Sequence, residues 1–380
     1  IYPNYKRSVS NFIKKDVLKK DRFKLDLEIL KESSLPITIS IGNNRGGGTF
    51  KFIQQRAKKM QNEEQRLFLT PNASFPEKLE LFFMPEMIPI SREFKFSEIN
   101  EFFKNINTSH LEVHQILDYP YWFSNFILNL NIGYSIFVHD FFFKCPQITL
   151  TDVDGIYCNE PNINECQSCT NKRPVEEIKN VADWRKKNSL FLNNAKDIFV
   201  PSKSTAYHMS KEFKDINFKL KPHELVERKR LRRFNKTKSL SIGILGAISK
   251  EKGLDFLEQT INCIIKSNLP VKFHLIGFPS RELIINDNSI LTITGPYEDS
   301  NVAKLLDQYG IEAIWFPTRA PETFSFTLSH ALKNGLPLII PTIGSFEERI
   351  PNEEGHYKFH WNAKPEDLVS IFKNMIKDKN

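Results

Sequence analysis

The chain has 380 residues, 40% of them hydrophobic and 26% charged, which suggests two domains with sizeable cores and excludes a disordered or low-complexity protein. A formal charge of +8 and an isoelectric point near 9.0 point to a polyanionic partner, whether nucleic acid, an acidic membrane surface or a phosphorylated small molecule. No run of about 18 apolar residues is present, the opening IYPNYKRSVSNFIKK lacks the apolar core of a secretory signal, and five cysteines are few for a disulfide scaffold. A cytoplasmic, reducing setting is therefore expected. The first residue is Ile, which leaves open that the chain is an excerpt of a longer polypeptide.

Residues 1–35 are polar and lysine-rich, and read as a basic extension or the end of a preceding region. The strand PITISIG then runs into the turn NNRGGG and the helical stretch TFKFIQQRAKKM, the order in which an α/β domain begins. Further apolar runs, LELFFM, HLEVHQI, GYSIFVHD and KDIFVPS, alternate with helical patterns and predict an open, mostly parallel sheet across a first domain of residues 36–218. The basic stretch 219–238, KLKPHELVERKRLRRFNKTK, breaks this pattern and reads as an interdomain linker. With residues 6–24 it holds most of the clustered positive charge, either as a solvated segment or as a surface drawn to anionic membrane.

The alternation restarts with strand SLSIGILG, helix GLDFLEQTINCIIK, strands KFHLIGF and LTITG, helix NVAKLLDQYG, strand IEAIWFP, a helix opening at Glu322, and strand PLIIPTIG. In NVAKLLDQYG, Val302, Leu305, Leu306 and Tyr309 fall on one buried helical face. The expectation is α/β: two doubly wound, Rossmann-like domains, the second spanning 239–362, with ligand sites at the carboxyl ends of the strands and a cleft between the domains.

Several residues suit chemistry at such a cleft. PETFSFTLSHALKNGLP, residues 321–337, places Glu322, Ser325, Phe326 and Thr327 at the start of an amphipathic helix, where backbone N–H groups meet phosphate oxygens and a carboxylate can accept from sugar hydroxyls. Gly46, Gly47 and Gly48 allow close backbone approach to a phosphate. His139 and Asp140 end a strand, and Lys252 follows another. Cys145, Cys158, Cys166 and Cys169 spell C-x12-C-x7-C-x2-C, for which a structural zinc site, reduced thiols and a disulfide all remain open. Asp152-Val153-Asp154 has the form of a cation-binding DxD, but three-residue matches are common by chance.

Residues 321–337 resemble the EGFGLxxxEAxxxGxP signature of the retaining glycosyltransferases of family 4, with Glu322, Phe324, Ala331, Gly335 and Pro337 at the matching places and His330 where the family has its second Glu. GAISKEKGLDFL resembles the family's GRxxxxKG segment, with Lys252 as its lysine and Ala247 in place of its arginine, a loss that Lys250 or Arg45 can offset. HDFFFKCPQITL resembles the HD-aromatic-CPR segment of bacterial cell-surface polysaccharide transferases of the O-antigen and capsule type.

The resemblance implies a GT-B fold and transfer of a hexose or deoxyhexose, with retention, from a UDP-, GDP- or dTDP-sugar to a glycan or lipid-linked glycan. His139, Glu322 and Lys252 would be catalytic, and Gly47, Gly48, Gly246, Lys250, Ser325, Phe326, Thr327 and His330 would hold the donor. Arg45, His114 and Asp140 would face the acceptor in the first domain, and residues 363–380 would form a helix crossing back to it. Catalysis would need no cofactor, and contact with anionic membrane would be peripheral. A catalytically silent glycan-binding or scaffold domain is the alternative. Nucleic acid is not an expected partner, since the basic runs lack interleaved aromatics.

Overall fold

Strands form where the apolar runs lie in a computed structural model that describes residues 21–44, 46–175, 177–234, 239–350 and 355–379. The chain divides into two compact units. One holds Ile1–His139 with Arg185–Val200 and Asp215–Lys219; the other holds Asp140–Trp184, Pro201–Lys214 and Leu220–Asn380.

The first unit is built on strands β1 (Ile37–Ile41), β2 (Gln65–Pro71), β3 (Lys78–Phe83), β4 (Ile88–Pro89), β5 (Phe94–Lys95), β6 (Thr108–Val113), β7 (Tyr134–Phe137), β8 (Asp197–Val200) and β9 (Phe218–Leu220). Their order is β4-β3-β2-β1-β6-β7-β8-β9, with β5 paired to β3. Pairing is parallel from β2 through β1, β6 and β7 to β8, and antiparallel where β3 meets β2, β4 and β5. All five residues of β1 are buried, as a strand covered on both faces requires. Helix α1 (Gly47–Met60) follows β1 and sends Phe52, Ile53 and Ala57 into the core. Strand β2 has no counterpart among the predicted elements: its central residue run is buried, yet it contains Arg66, only 2% exposed.

The second unit has the order β12-β11-β10-β13-β14-β15, with β10 (Leu240–Ile248), β11 (Val271–Pro279), β12 (Leu291–Ile293), β13 (Ala313–Trp315), β14 (Leu338–Pro341) and β15 (Tyr357–Phe359), all paired parallel. Trp315 centres one face, its ring 6.0 Å from Phe256 and 5.8 Å from Phe372. The C-terminal helix, Pro365–Lys379, buries Leu368, Val369, Phe372 and Met375 in this core. Its apolar stripe, at about 1.5–3 kcal/mol per buried side chain, is used within the second unit.

Two inserted segments also belong to the second unit. Buried Glu160 accepts from Tyr157 Oη at 2.6 Å, from Lys211 Nζ at 2.7 Å and from Lys144, and lies 2.7 Å from His208 Nδ1, which links residues 144–160 to residues 208–211. Glu348 accepts the N–H groups of Lys203 and Ser204 at 3.1 and 2.8 Å, completing the N-terminus of the helix Lys203–Ser210. The described part of the basic stretch runs along the same unit. Arg232 donates its N–H to Gly335 O at 2.7 Å and its Nε to Asn334 O at 2.8 Å, at the carbonyl end of the helix Phe326–Lys333, where cations are favoured. Residues 235–238 of the expected linker, and most of the basic run 6–24, lie outside the described residues. Among the described residues no helix is long and apolar enough to cross a membrane.

Lys379 closes the C-terminal helix onto the sheet. Its Nζ lies 2.6 Å from Glu312 Oε2 and 2.7 Å from Ser239 O, with both side chains almost fully buried. Lys379→Ala leaves the carboxylate buried and uncompensated, and is expected to cost about 3–5 kcal/mol in urea unfolding. The Glu312→Gln/Lys379→Met pair should recover most of that loss.

Candidate functional site

In the second unit a small cleft opens at the carboxyl ends of β10 and β13, lined among others by Ile244, Leu245, Lys252, Thr318, Glu322, Ser325 and Thr327. Four predicted residues from two segments, Lys252 from one and Glu322, Ser325 and Thr327 from the other, are thus brought to one place. The position follows from topology, since parallel strands end where the following loops and helix N-termini gather.

The turn Glu322–Ser325 is shaped by three devices. Gly344 has φ of +66°, and a Cβ there would fall 2.6 Å from Glu322 N and 2.8 Å from Glu322 O, so only glycine lets the two backbones meet. The next residue, Ser345, donates its N–H to Glu322 O at 2.8 Å. Arg349, which the sequence reading did not single out, donates to Phe324 O at 2.5 Å, Ser325 O at 2.9 Å and Ser329 Oγ at 2.7 Å, with its guanidinium 4.1 Å from the Phe324 ring centre. Burial, only partly offset by Glu224 and Glu348, pushes the Arg349 guanidinium down to about 10, which keeps it charged at neutral pH.

Ser325 itself has φ of +66°, a left-handed conformation at the place where the EGFGL signature carries a glycine. Its Oγ caps the helix Phe326–Lys333 by accepting from Leu328 N at 3.3 Å, and lies 3.1 Å from Thr327 Oγ1. The first turn therefore presents small hydroxyls and helix-start amides to the cleft, a setting that favours an anion. The Phe326 ring packs away into an aromatic group with Phe324 and His223, at 5.3 and 5.8 Å.

Other predicted donor residues stand apart from the lining. Gly246, with φ of +101°, lies in β10 beside Thr327. Exposed Lys250 has its backbone against Gly155, and His330 Nε2 lies 3.1 Å from Asp299 Oδ1. Asp152 Oδ1 accepts from the N–H groups of Asp154 and Ile156 at 2.9 and 3.0 Å, so the DxD is a self-closed turn.

Among the described residues no three His, Cys, Asp or Glu side chains are grouped to hold a metal ion, and none of the four cysteines is in a disulfide. Cys169 Sγ instead receives Arg173 Nη2 at 2.9 Å, and Cys166 Sγ points to Pro161 O at 3.6 Å. Competing polar partners direct these two sulfurs elsewhere.

In the first unit, α1 starts at Gly47 with Gly46 as its N-cap, both at positive φ, and Gly48 lies in its first turn; Arg45 lies outside the described residues. His139 Nε2 is 3.0 Å from His114 Nδ1, and its ring centre is 5.2 Å from that of Phe52. His114 is only 3% exposed, and its ring stacks on that of Phe137 at 4.8 Å. Asp140, of the second unit, uses Oδ1 to accept from Phe142 N at 2.8 Å, a turn-forming bond.

The Gly344 fit yields a direct check. Gly344→Ala should destabilise the protein by at least about 2 kcal/mol in denaturant unfolding, from the positive φ and the backbone overlap together. Arg349→Ala should cost about 3 kcal/mol, since three acceptors lose a charged donor.

Residues 239–378 match the family model described as Glycosyl transferases group 1. Among solved structures, sucrose-phosphate synthase from Thermosynechococcus elongatus aligns with a TM-score of 0.57 at 12% identity, over 91% of this chain and 90% of that one. The pneumococcal O-GlcNAc transferase GtfA, in complex with UDP and GlcNAc, aligns at 0.57 with 10% identity over 90% and 92%. The lipopolysaccharide outer core galactosyltransferase WaaB aligns at 0.54 with 13% identity over 90% and 90%. No curated protein matches the chain. The chain thus has the two-unit α/β fold of the GT-B glycosyltransferases, and residues 239–378 carry its match to the group 1 glycosyl transferases.

Proposed function

We propose that the protein transfers a hexosyl or deoxyhexosyl group from a nucleotide sugar to a glycan acceptor with retention of anomeric configuration. The observation that carries this reading is the convergence of Lys252, Glu322, Ser325 and Thr327 on one cleft of the second unit. In this reading the helix start at Ser325–Thr327 and the Lys252 ammonium bind the diphosphate, and the Glu322 carboxylate accepts from the sugar hydroxyls. The C1–O bond to the diphosphate breaks as the acceptor oxygen bonds C1 on the same face, and the acceptor proton passes to the departing phosphate oxygen. The chain's contribution is positioning and charge stabilisation. His139 is the first unit's catalytic residue in this scheme. No step uses a metal or organic cofactor. Synthesis of bacterial surface polysaccharide at the cytoplasmic face of the membrane fits the HDFFFKCP segment and the likeness to WaaB.

Thermal unfolding with UDP-, GDP- and dTDP-sugars tests the donor site. At about a hundred times its Kd, the donor of the correct class should add about 2.7 kcal/mol of stability, and Glu322→Ala should abolish the effect. Stabilisation that survives Glu322→Ala, or none from any class, overturns the assignment. One observation favours a second reading, a catalytically silent glycan-binding or scaffold domain: His330, at the place of the family's second Glu, is engaged with Asp299. Release of nucleoside diphosphate with a glycan acceptor, absent in Glu322→Ala, decides against that reading.

A further inference from the structure

Behind His139 lies a buried charged cluster that the functional reading leaves unused. Glu112, 3% exposed on β6, accepts from two arginines at once: Arg66 Nη1 and Nη2 at 2.8 Å each, and Arg56 Nε at 3.0 and 2.8 Å. His114, two residues on, has its Nε2 3.5 Å from Glu112 Oε2 and its Nδ1 3.0 Å from His139 Nε2. The charged and titratable groups about His114 are Glu112 on its own strand, Arg56 from α1, Arg66 from β2 with Glu64 3.2 Å behind it, and His139 after β7.

Burial would raise the Glu112 carboxyl, but the bonds from Arg66 and Arg56, with the His114 ring nearby, outweigh it and hold it far below the usual carboxylate range. Burial pushes His114 down against the opposing pull of Glu112, so its ring is neutral and carries one proton. Two arrangements of that proton exist. With the proton on Nδ1, the bare Nε2 lone pair faces a carboxylate oxygen at 3.5 Å, which is repulsive. With the proton on Nε2, the N–H faces the carboxylate and Nδ1 becomes an acceptor. The His139 Nε2 that lies 3.0 Å away must then carry the proton it donates.

We infer that Glu112 and His114 are positioning residues that act in series, fixing His139 as the tautomer protonated on Nε2. The inference deepens the reading in which His139 is catalytic and rests on it for its functional meaning. Phe52 and Phe137 hold the two rings in place, at 5.2 Å from His139 and 4.8 Å from His114. The three groups form a directed chain from carboxylate to imidazole to imidazole. The carboxylate sets the direction, and His139, only half-buried at the strand end, receives it.

Long-range nitrogen NMR on the full chain labelled with 15N-histidine reads the tautomers directly, with His139 assigned by its loss in His139→Gln. The expected result is Nε2–H for both His114 and His139. Glu112→Gln should reverse both, because the amide can donate to His114 Nε2. His114→Phe keeps the ring packing and removes the acceptor, so it should turn His139 into a tautomer mixture even if Glu112→Gln fails to fold. An Nδ1–H tautomer for His139 in the unaltered protein, or one unchanged in every folded variant, overturns the inference. In a transferase assay the reversed tautomer should lower kcat by about tenfold or more while the donor KM moves less than about threefold. Absence of turnover in the unaltered protein counts against the functional reading alone, since the tautomers are read without substrate.

Discussion

The Arg349 guanidinium is the interaction on which the architecture of the cleft depends. Three carbonyl and hydroxyl acceptors, from Phe324, Ser325 and Ser329, converge on it, and the Phe324 ring covers its face. A serine does not adopt a left-handed backbone without cost, about 1–3 kcal/mol for such strain, and surrounding bonds must over-determine it. Arg349 and the Gly344–Ser345 contact supply those bonds from the far side of the turn. Glu322 therefore reaches the cleft from a rigid backbone, which is what a carboxylate must have if it is to select one orientation of a hydroxylated ligand.

The first unit solves a different problem. Burying a carboxylate and a guanidinium in a parallel sheet is costly, and the cost is offset only where geometry is bidentate and the remaining donors are used. Glu112 meets that condition with Arg56 and Arg66. An apolar cluster of similar volume would often serve stability as well or better. What a hydrocarbon cluster lacks is a fixed electrostatic direction, and that direction points toward the strand end at which His139 stands. Polarity under this sheet is thus tied to the site more than to the fold.

Much of the architecture was legible because buried parallel strands read as continuous apolar runs, as in SLSIGILG, IEAIWFP and PLIIPTIG, and because glycine, serine and an acid at a helix start have few other uses. Strand β2 escaped because Arg66 sits inside it, and its compensation by Glu112 is 46 residues away in sequence. The role of Arg349 escaped for the same reason: its partners are up to 25 residues earlier. The burial of His114 was not legible because a histidine beside a strand end carries no sign of it, and the C-terminal helix showed its apolar stripe without showing which core would receive it. The cysteine spacing was suggestive of zinc, but spacing fixes neither where sulfurs point nor that Arg173 and Pro161 would occupy two of them.

The placement of residues 140–184 and 201–214 in the second unit means that neither unit is a contiguous stretch of chain. The polypeptide leaves the first unit after β7, returns for β8, departs again and comes back for residues 215–219 before committing to the second sheet. A fragment cut anywhere in the basic stretch 219–238 would carry the cleft-lining loops of the second unit but lack Tyr157, whose backbone N–H donates to Arg319 O at 2.9 Å, and the helix start that Glu348 completes. The two units are therefore not separable by a single cut, and recombination that exchanges the second unit for another must carry three pieces of sequence rather than one.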